Sequence, residues 1–598
     1  MQAPTLAFGL EWRLNRQQRR IFVTRALALP LLFLLAACGD GTLPAGSDSD
    51  GGPATSTTAA TTDDEPTAGT TGDPGDDEPL LLEPRDRLLR ISMALRGVRP
   101  SDADFAAVEA DPKAMSKLVD AYLDSPDFGA TVRDLHNDAL LVLADFGAPP
   151  AGFLAKDGLA GMALFAANRA IMEAPLRLIE HVVAGDRPYG DIVTADYTLV
   201  SAASAAAWGL PFDPAGDEWQ VQDPPSDLRN AGVLADSWLF QRHGSTRTNA
   251  NRGRANAVAR AFLCVDFNDR DLEIDPSVNL ADPEAVADAV QANATCAACH
   301  QTLDPLASFF WGYKPQFVPL LASYPQDHYA EGFFTTILGV PRRDPHYFGS
   351  IGGSLADLGA LLRADPRFSL CAARRAYAYF HQTDLAAVPL DRAGWLQAVL
   401  QDSDDYKAMI KALVLADEFA RADGELGRKR ARPFQLARLV EDLTGFRWRT
   451  DLTAFGAGVI DLLDDSLIGY HVLAGGLDAI FVNTASYTYS ATTSLVLRAL
   501  ARQAANDIVE DDFAVADKAA RRLFTLVSAV DTGQAKLRPQ IALLHRRFFG
   551  RDLDDDASEV SETLELFKAA LALAPGDAKR AWKITLTALL QDVRIASY

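Results

Sequence analysis

The chain has 598 residues, 57 Lys and Arg against 80 Asp and Glu, a formal net charge of −23, and 48% hydrophobic residues. No basic block follows its first residues, and binding nucleic acid needs clustered Lys and Arg to neutralise phosphates, so the composition argues against such a partner. Only five cysteines occur, which makes their spacing informative.

The chain opens with five arginines before residue 26 and an apolar run Ala26–Ala37. About a dozen apolar residues are too few to span a bilayer and fit the h-region of a secretory signal instead. Leu35-Ala36-Ala37-Cys38 resembles the lipobox of bacterial lipoproteins. Residues 1–37 then read as a lipoprotein signal peptide and Cys38 as the lipidated first residue of the mature chain; an ordinary cleaved signal is the alternative. Gly39 after the cysteine favours the outer membrane of a bacterial envelope. Arg19-Arg20-Ile21-Phe22-Val23 resembles a twin-arginine export signal, so the export route stays open. Residues 38–80 are Gly, Ser, Thr, Pro and Asp with almost no large apolar side chain, which predicts a disordered acidic tether. Its root-mean-square span is roughly 35 Å.

Beyond residue 80 the composition is globular and the pattern mainly α. Boundaries are expected to give helical domains at 81–215, 216–345, 346–427 and 428–598, the second carrying the cysteine motif. A Ser-x-x-Asp box at Ser101 and Asp104 starts one helix. Helical spacing of apolar residues recurs at 161–183, 284–295, 354–363, 372–380, 405–420, 433–443, 493–507, 516–529 and 559–572. Only 468–492, with Gly475-Gly476 and β-branched and aromatic alternation, reads as a small extended segment. The turn at 94–109 is echoed at 548–562, but no fixed period supports a solenoid.

Inside QANATCAACHQTLDPLASFFWGY lies CAACH, with Cys296, Cys299 and His300. Two thiols one helical turn apart suit the two vinyl groups of a haem, and a histidine directly behind the second can coordinate iron, so the motif reads as c-type haem attachment. Haem c is the expected cofactor and His300 the proximal iron ligand. A structural disulfide or dithiol, a thioredoxin-like site, and a zinc knuckle recruiting Cys264 and Cys371 or His300 are the other readings. The remaining cysteines, Cys264 and Cys371, form an even pair that suits a disulfide in an oxidising compartment; two buried free thiols are the alternative. No Met lies between Met172 and Met409, so His346 or His328 is the candidate sixth iron ligand, with Met409 more distant. Phe309, Phe310, Trp311 and Tyr313 suit either a haem wall or an ordinary core. The acidic runs Asp464-Asp465 and Asp554-Asp555-Asp556 read as solvated loops, so no catalytic hydrolase residues are expected.

Taken together, RLLRISMALRGVRPSDADFAAVEADP, GDRPYGDIVTADYTLVSAASAAAWGLP, NRGRANAVARAFLC, ATCAACHQTLDPL, RFSLCAARRAYAYF and AWKITLTALLQDVRIASY resemble the planctomycete-cytochrome-type proteins, large secreted proteins of planctomycetes and myxobacteria built from domains of unknown function. The resemblance spans nearly all of 85–598. It implies a c-type-like motif at Cys296, Cys299 and His300, a companion turn at Asp304-Pro305-Leu306, and pairing of the flanking Cys264 and Cys371. The chain departs from the family at Ala307, where Gly is usual, and in SFFWGYKPQF, which replaces an acidic segment. The expected protein is held at the membrane by a lipid anchor, transfers electrons, and meets an envelope redox or assembly partner. A non-redox scaffold or binding lipoprotein is the alternative.

Overall fold

A computed structural model describes residues 80–144, 164–245, 250–269, 276–279, 281–313, 336–337, 340–341, 343–422, 428–455, 458–466 and 468–598. The expected signal peptide, Cys38, the expected tether to residue 79 and His328 lie outside them. The fold is mainly helical. Seventeen helices of nine or more residues occur among the described residues: α1 Pro84–Arg96, α2 Asp102–Ala110, α3 Ala114–Leu123, α4 Pro126–Leu140, α5 Leu164–Ala184, α6 Arg252–Leu263, α7 Pro283–Ala292, α8 Ala294–Ala307, α9 Leu355–Ala364, α10 Pro366–His381, α11 Leu390–Ser403, α12 Tyr406–Leu415, α13 Pro433–Thr444, α14 Ala491–Ala514, α15 Gln534–Phe549, α16 Ser558–Leu573 and α17 Ala578–Leu590. None of the described helices is long and apolar enough to cross a membrane.

Local chemistry sets many of these boundaries. Ser101 and Asp104 form a reciprocal capping box that starts α2, satisfying two backbone donors that a helix start leaves unpaired. Proline stands at the first turn of α1, α4, α7, α10 and α13, where its missing N–H costs nothing. Gly97 ends α1 in the left-handed region at φ 70°, and a Cβ there would stand 3.0 Å from the Cα of Gln435. That close approach lets Gln435 Nε2 donate to Met93 O at 3.0 Å, fastening α13 to α1.

Two hydrophobic cores result. The first draws buried side chains from Leu88 to Phe419 and adds Leu477 and Ala479, so the segments 81–215, 216–345 and 346–427 share one interior. The second takes in Met93 and residues between Ala431 and Ala596. There α17 packs on α14 and α16, with Trp582 fully buried between Phe524 and Phe567 at centroid distances of 5.0 and 4.7 Å. Strands are short and pair two by two, antiparallel: β1 Thr198–Val200 with β2 Gln220–Gln222, β3 Thr336–Ile337 with β4 Val340–Pro341, β5 His346–Tyr347 with β6 Ser350–Ile351, and β7 Arg449–Asp451 with β8 Val459–Asp461.

Two expected elements differ. The segment 468–492 pairs with no strand; it holds one helical turn, Tyr470–Leu473, and then runs irregularly. Asp478 Oδ1 accepts the N–H groups of Ile480, Phe481 and Val482 at 2.7–2.9 Å. Arg430 donates to the carbonyls of Ala474, Ser486 and Thr488. Side chains thus satisfy backbone groups that a ladder would otherwise pair. The segment 516–529, expected to be helical, forms only a short 3-10 turn, Lys518–Ala520. Its Leu523, Phe524 and Val527 are fully buried, which explains the apolar spacing. The backbone N–H groups of Arg522, Leu523 and Phe524 are taken by the buried Asp512 carboxylate at 2.6–2.9 Å, leaving no helical ladder.

Candidate functional site

Helix α8 begins where the Asn293 side chain caps it, Oδ1 accepting from the N–H of Thr295 at 3.0 Å and of Cys296 at 3.3 Å. Cys296, Cys299 and His300 therefore occupy its first two turns. Positions i, i+3 and i+4 share one face of a helix, so the two thiols and the imidazole are presented together. Cys299 is buried and Cys296 half-buried, and neither is in a disulfide.

One turn further on, Asp304 takes the imidazole. His300 Nδ1 lies 2.8 Å from Asp304 Oδ1. Arg252, at the start of α6, grips the same carboxylate with Nε at 2.6 Å and Nη2 at 3.1 Å, and Arg343 stands 3.6 Å from Oδ2. Burial pushes the Asp304 carboxyl up, but hydrogen bonds from His300 and Arg252 and their charges hold it down at about 2. An ionised carboxylate only accepts, so the proton of a neutral His300 ring sits on Nδ1 and the Nε2 lone pair is left for a ligand. No hydrogen bond to Nε2 occurs among the described residues. Metal-bound histidines carry this same carboxylate support on the far nitrogen.

The neighbourhood is held by packing. Helix α6 packs on α8 and on α10, and β5 packs on the flank of α8. Cys264, directly after α6, is bonded to Cys371 in α10, with Cα atoms 5.3 Å apart, so α6 is stapled to the first core. Cys264 and Cys371 are thereby removed as metal ligands, and no cluster of three or more His, Cys, Asp or Glu suited to a metal ion occurs among the described residues. The zinc-knuckle reading loses its ligand set.

Of the candidate sixth ligands, His346 is brought to α8 by β5, half-buried, with Nδ1 2.8 Å from Asp344 O. Nδ1 donates to that carbonyl, so the neutral ring again has Nε2 unprotonated. Met409 is fully buried in the first core. The four aromatics after the motif are core residues: Phe309, Phe310, Trp311 and Tyr313 are at most 3% exposed, Phe310 and Tyr313 pack on Phe240 at 4.9 and 4.5 Å, and Tyr313 donates to Leu234 O. Asp304-Pro305-Leu306 continues α8 and makes no separate turn.

Arg252 and Arg343 were not visible as part of the site from sequence, since nothing in their local context marks them. Asp304 was within reach, because a carboxylate four residues after His300 on a helix must face it. The residues present fit a c-type haem: two thiols in register on one face, and an imidazole with its tautomer fixed by an ionised carboxylate. Compared with known family models, curated proteins and solved structures, the chain has no match.

Proposed function

We propose that the protein is a lipid-anchored component of a bacterial cell envelope that carries one covalent c-type haem and transfers electrons to or from an envelope partner. The observation that carries this reading is the alignment of Cys296, Cys299 and His300 on one helical face with Nδ1 claimed by Asp304. Cys296 and Cys299 would hold the porphyrin through thioethers, and His300 Nε2 would be the proximal donor. When bound, such a haem supplies one-electron chemistry. Asp304 orients the imidazole through Nδ1, and Arg252 in turn fixes Asp304. His346, on a strand that packs beside α8, is the proposed sixth ligand with His328 as the alternative, and two histidines would give a lower potential than a His/Met pair. Cys38 carries the lipid, and the tether to residue 80 lifts the body from the headgroups. The likeness of its phrases to the planctomycete-cytochrome-type proteins supports the same compartment and cofactor.

The decisive experiment is a pyridine haemochrome spectrum and intact mass of the chain purified from its native host's envelope. A c-type band with a mass gain of one haem supports the reading. A colourless protein with a Cys296–Cys299 disulfide overturns it and favours a structural or scaffold role. In the haem-loaded protein, a His346→Ala variant that turns a low-spin spectrum high-spin assigns the sixth position; an unchanged spectrum removes His346 from it.

A further inference from the structure

Away from α8, a cavity of about 370 Å³ opens between the α3–α4 corner, the end of α5, β1 and the residue before β2. Its floor belongs to the first core: Phe128, Val132, Val183 and Leu199 line it and are at most 4% exposed. Half-buried Trp219 forms a wall. β2 pairs with β1 in a register that sets Val221 opposite Leu199, so the residue just before β2 is carried to the same edge. The Arg177 guanidinium lies over the Trp219 ring, 5.2 Å from its centroid, and helps to hold the indole in place.

The charges around this cavity are matched within the protein. Asp124, Arg177 and Glu180 are the charged side chains of its lining. Arg177 donates Nε and Nη2 to Glu173, at 3.2 and 3.1 Å, and Nη1 to Glu180 at 3.1 Å. Glu180 is also paired with Arg133, and Asp124 with Lys407 at 2.9 Å. Ser125 Oγ donates to Tyr122 O. Burial and the charge of Arg187 hold the His181 imidazole below its usual range, so it stands in the lining as a neutral ring. A charged guest would give up hydration and find each opposite charge already engaged. A neutral ring gives up little and gains apolar and aromatic contact.

We infer that this cavity binds a neutral, rigid aromatic small molecule, with Trp219 as its wall and the core surface from Phe128 to Leu199 as its floor. The volume lies within the range of small-molecule pockets, which are mostly apolar with few polar groups. A flexible acyl chain of the same size would lose rotamer freedom on entry that a rigid ring does not have, so the ring is the better guest. This site is independent of the haem reading.

Isothermal titration of the purified full chain with 1-naphthol, 1-naphthalenesulfonate and 1-naphthylmethylammonium tests it, because the three share a ring system and differ in charge. Saturable binding of 1-naphthol, with both ions weaker by about tenfold or more, supports the site. So does a loss of about tenfold or more in 1-naphthol affinity in Trp219→Ala, with none in Trp395→Ala, an exposed position on α11. The charge series is read on the unaltered chain and stands should Trp219→Ala fail to fold. No saturation by 1-naphthol, either ion binding within about tenfold of it, or a folded Trp219→Ala protein that loses no more affinity than Trp395→Ala overturns the proposal.

Discussion

The two cysteine pairs of the body, built from the same residue type, are set in opposite geometries. Cys264 and Cys371 stand 107 residues apart and are joined between α6 and α10. Cys296 and Cys299, one turn apart at the head of α8, remain thiols. A bond across a long loop constrains the unfolded chain strongly, whereas one across three residues constrains little. The distant pair therefore serves the fold, and a bond within the near pair would add little to it.

The sharpest way to break this contrast is to remove each pair in turn. Replacing Cys296 and Cys299 by Ala is expected to abolish covalent haem entirely, read as loss of the haem mass and absorbance. The same change should cost only about 1 kcal/mol of stability in denaturant unfolding. Replacing Cys264 and Cys371 by Ala should do the reverse: about 4–5 kcal/mol of stability lost on the loop-entropy scale, with haem still attached in whatever folded protein is recovered. A haem-free Cys264→Ala, Cys371→Ala protein that is still folded would show that the staple belongs to the site.

Asp304 gives a smaller and more specific effect. Its folded pKa of about 2 lies below its ordinary value of 3.8, so the stability it contributes is fully present above about pH 4 and is lost as pH falls through 2. The shift corresponds to about 2 kcal/mol. Urea unfolding of the wild type and Asp304→Asn should differ by that order near neutrality and converge in strong acid. In the haem-loaded protein, Asp304→Asn should also raise the midpoint potential, because the imidazole loses a carboxylate that favours the oxidised iron. A variant with unchanged potential would reduce Asp304 to a purely structural role.

Much of the fold was legible where a helix carries its own signals. Ser101 and Asp104, Ser354 and Asp357, and the prolines of the first turns state their boundaries locally. The reading failed where distant side chains took over the backbone. Asp512 strips 522–524 of helical partners, and Asp478 and Arg430 do the same for 474–488. In the site, the positions of Cys296, Cys299 and His300 were written in five consecutive residues. Arg252 reaches Asp304 only because α6 packs on α8, a tertiary fact without a local pattern. The aromatics at 309–313 were ambiguous for the same reason; packing on Phe240 places Phe310 and Tyr313 in the core, and Phe309 and Trp311 are buried beside them.

The staple between Cys264 and Cys371 encloses both motif thiols within its loop. A chain emerging from its amino end exposes Cys264 first, then Cys296 and Cys299, and Cys371 last. An oxidant working in that order joins neighbours before it can join the native partners. Where the chain emerges stepwise into an oxidising compartment, either the motif sulfurs are engaged before Cys371 arrives or an isomerase undoes a wrong first bond. The order of cysteines along the chain makes assembly of this protein a timing problem.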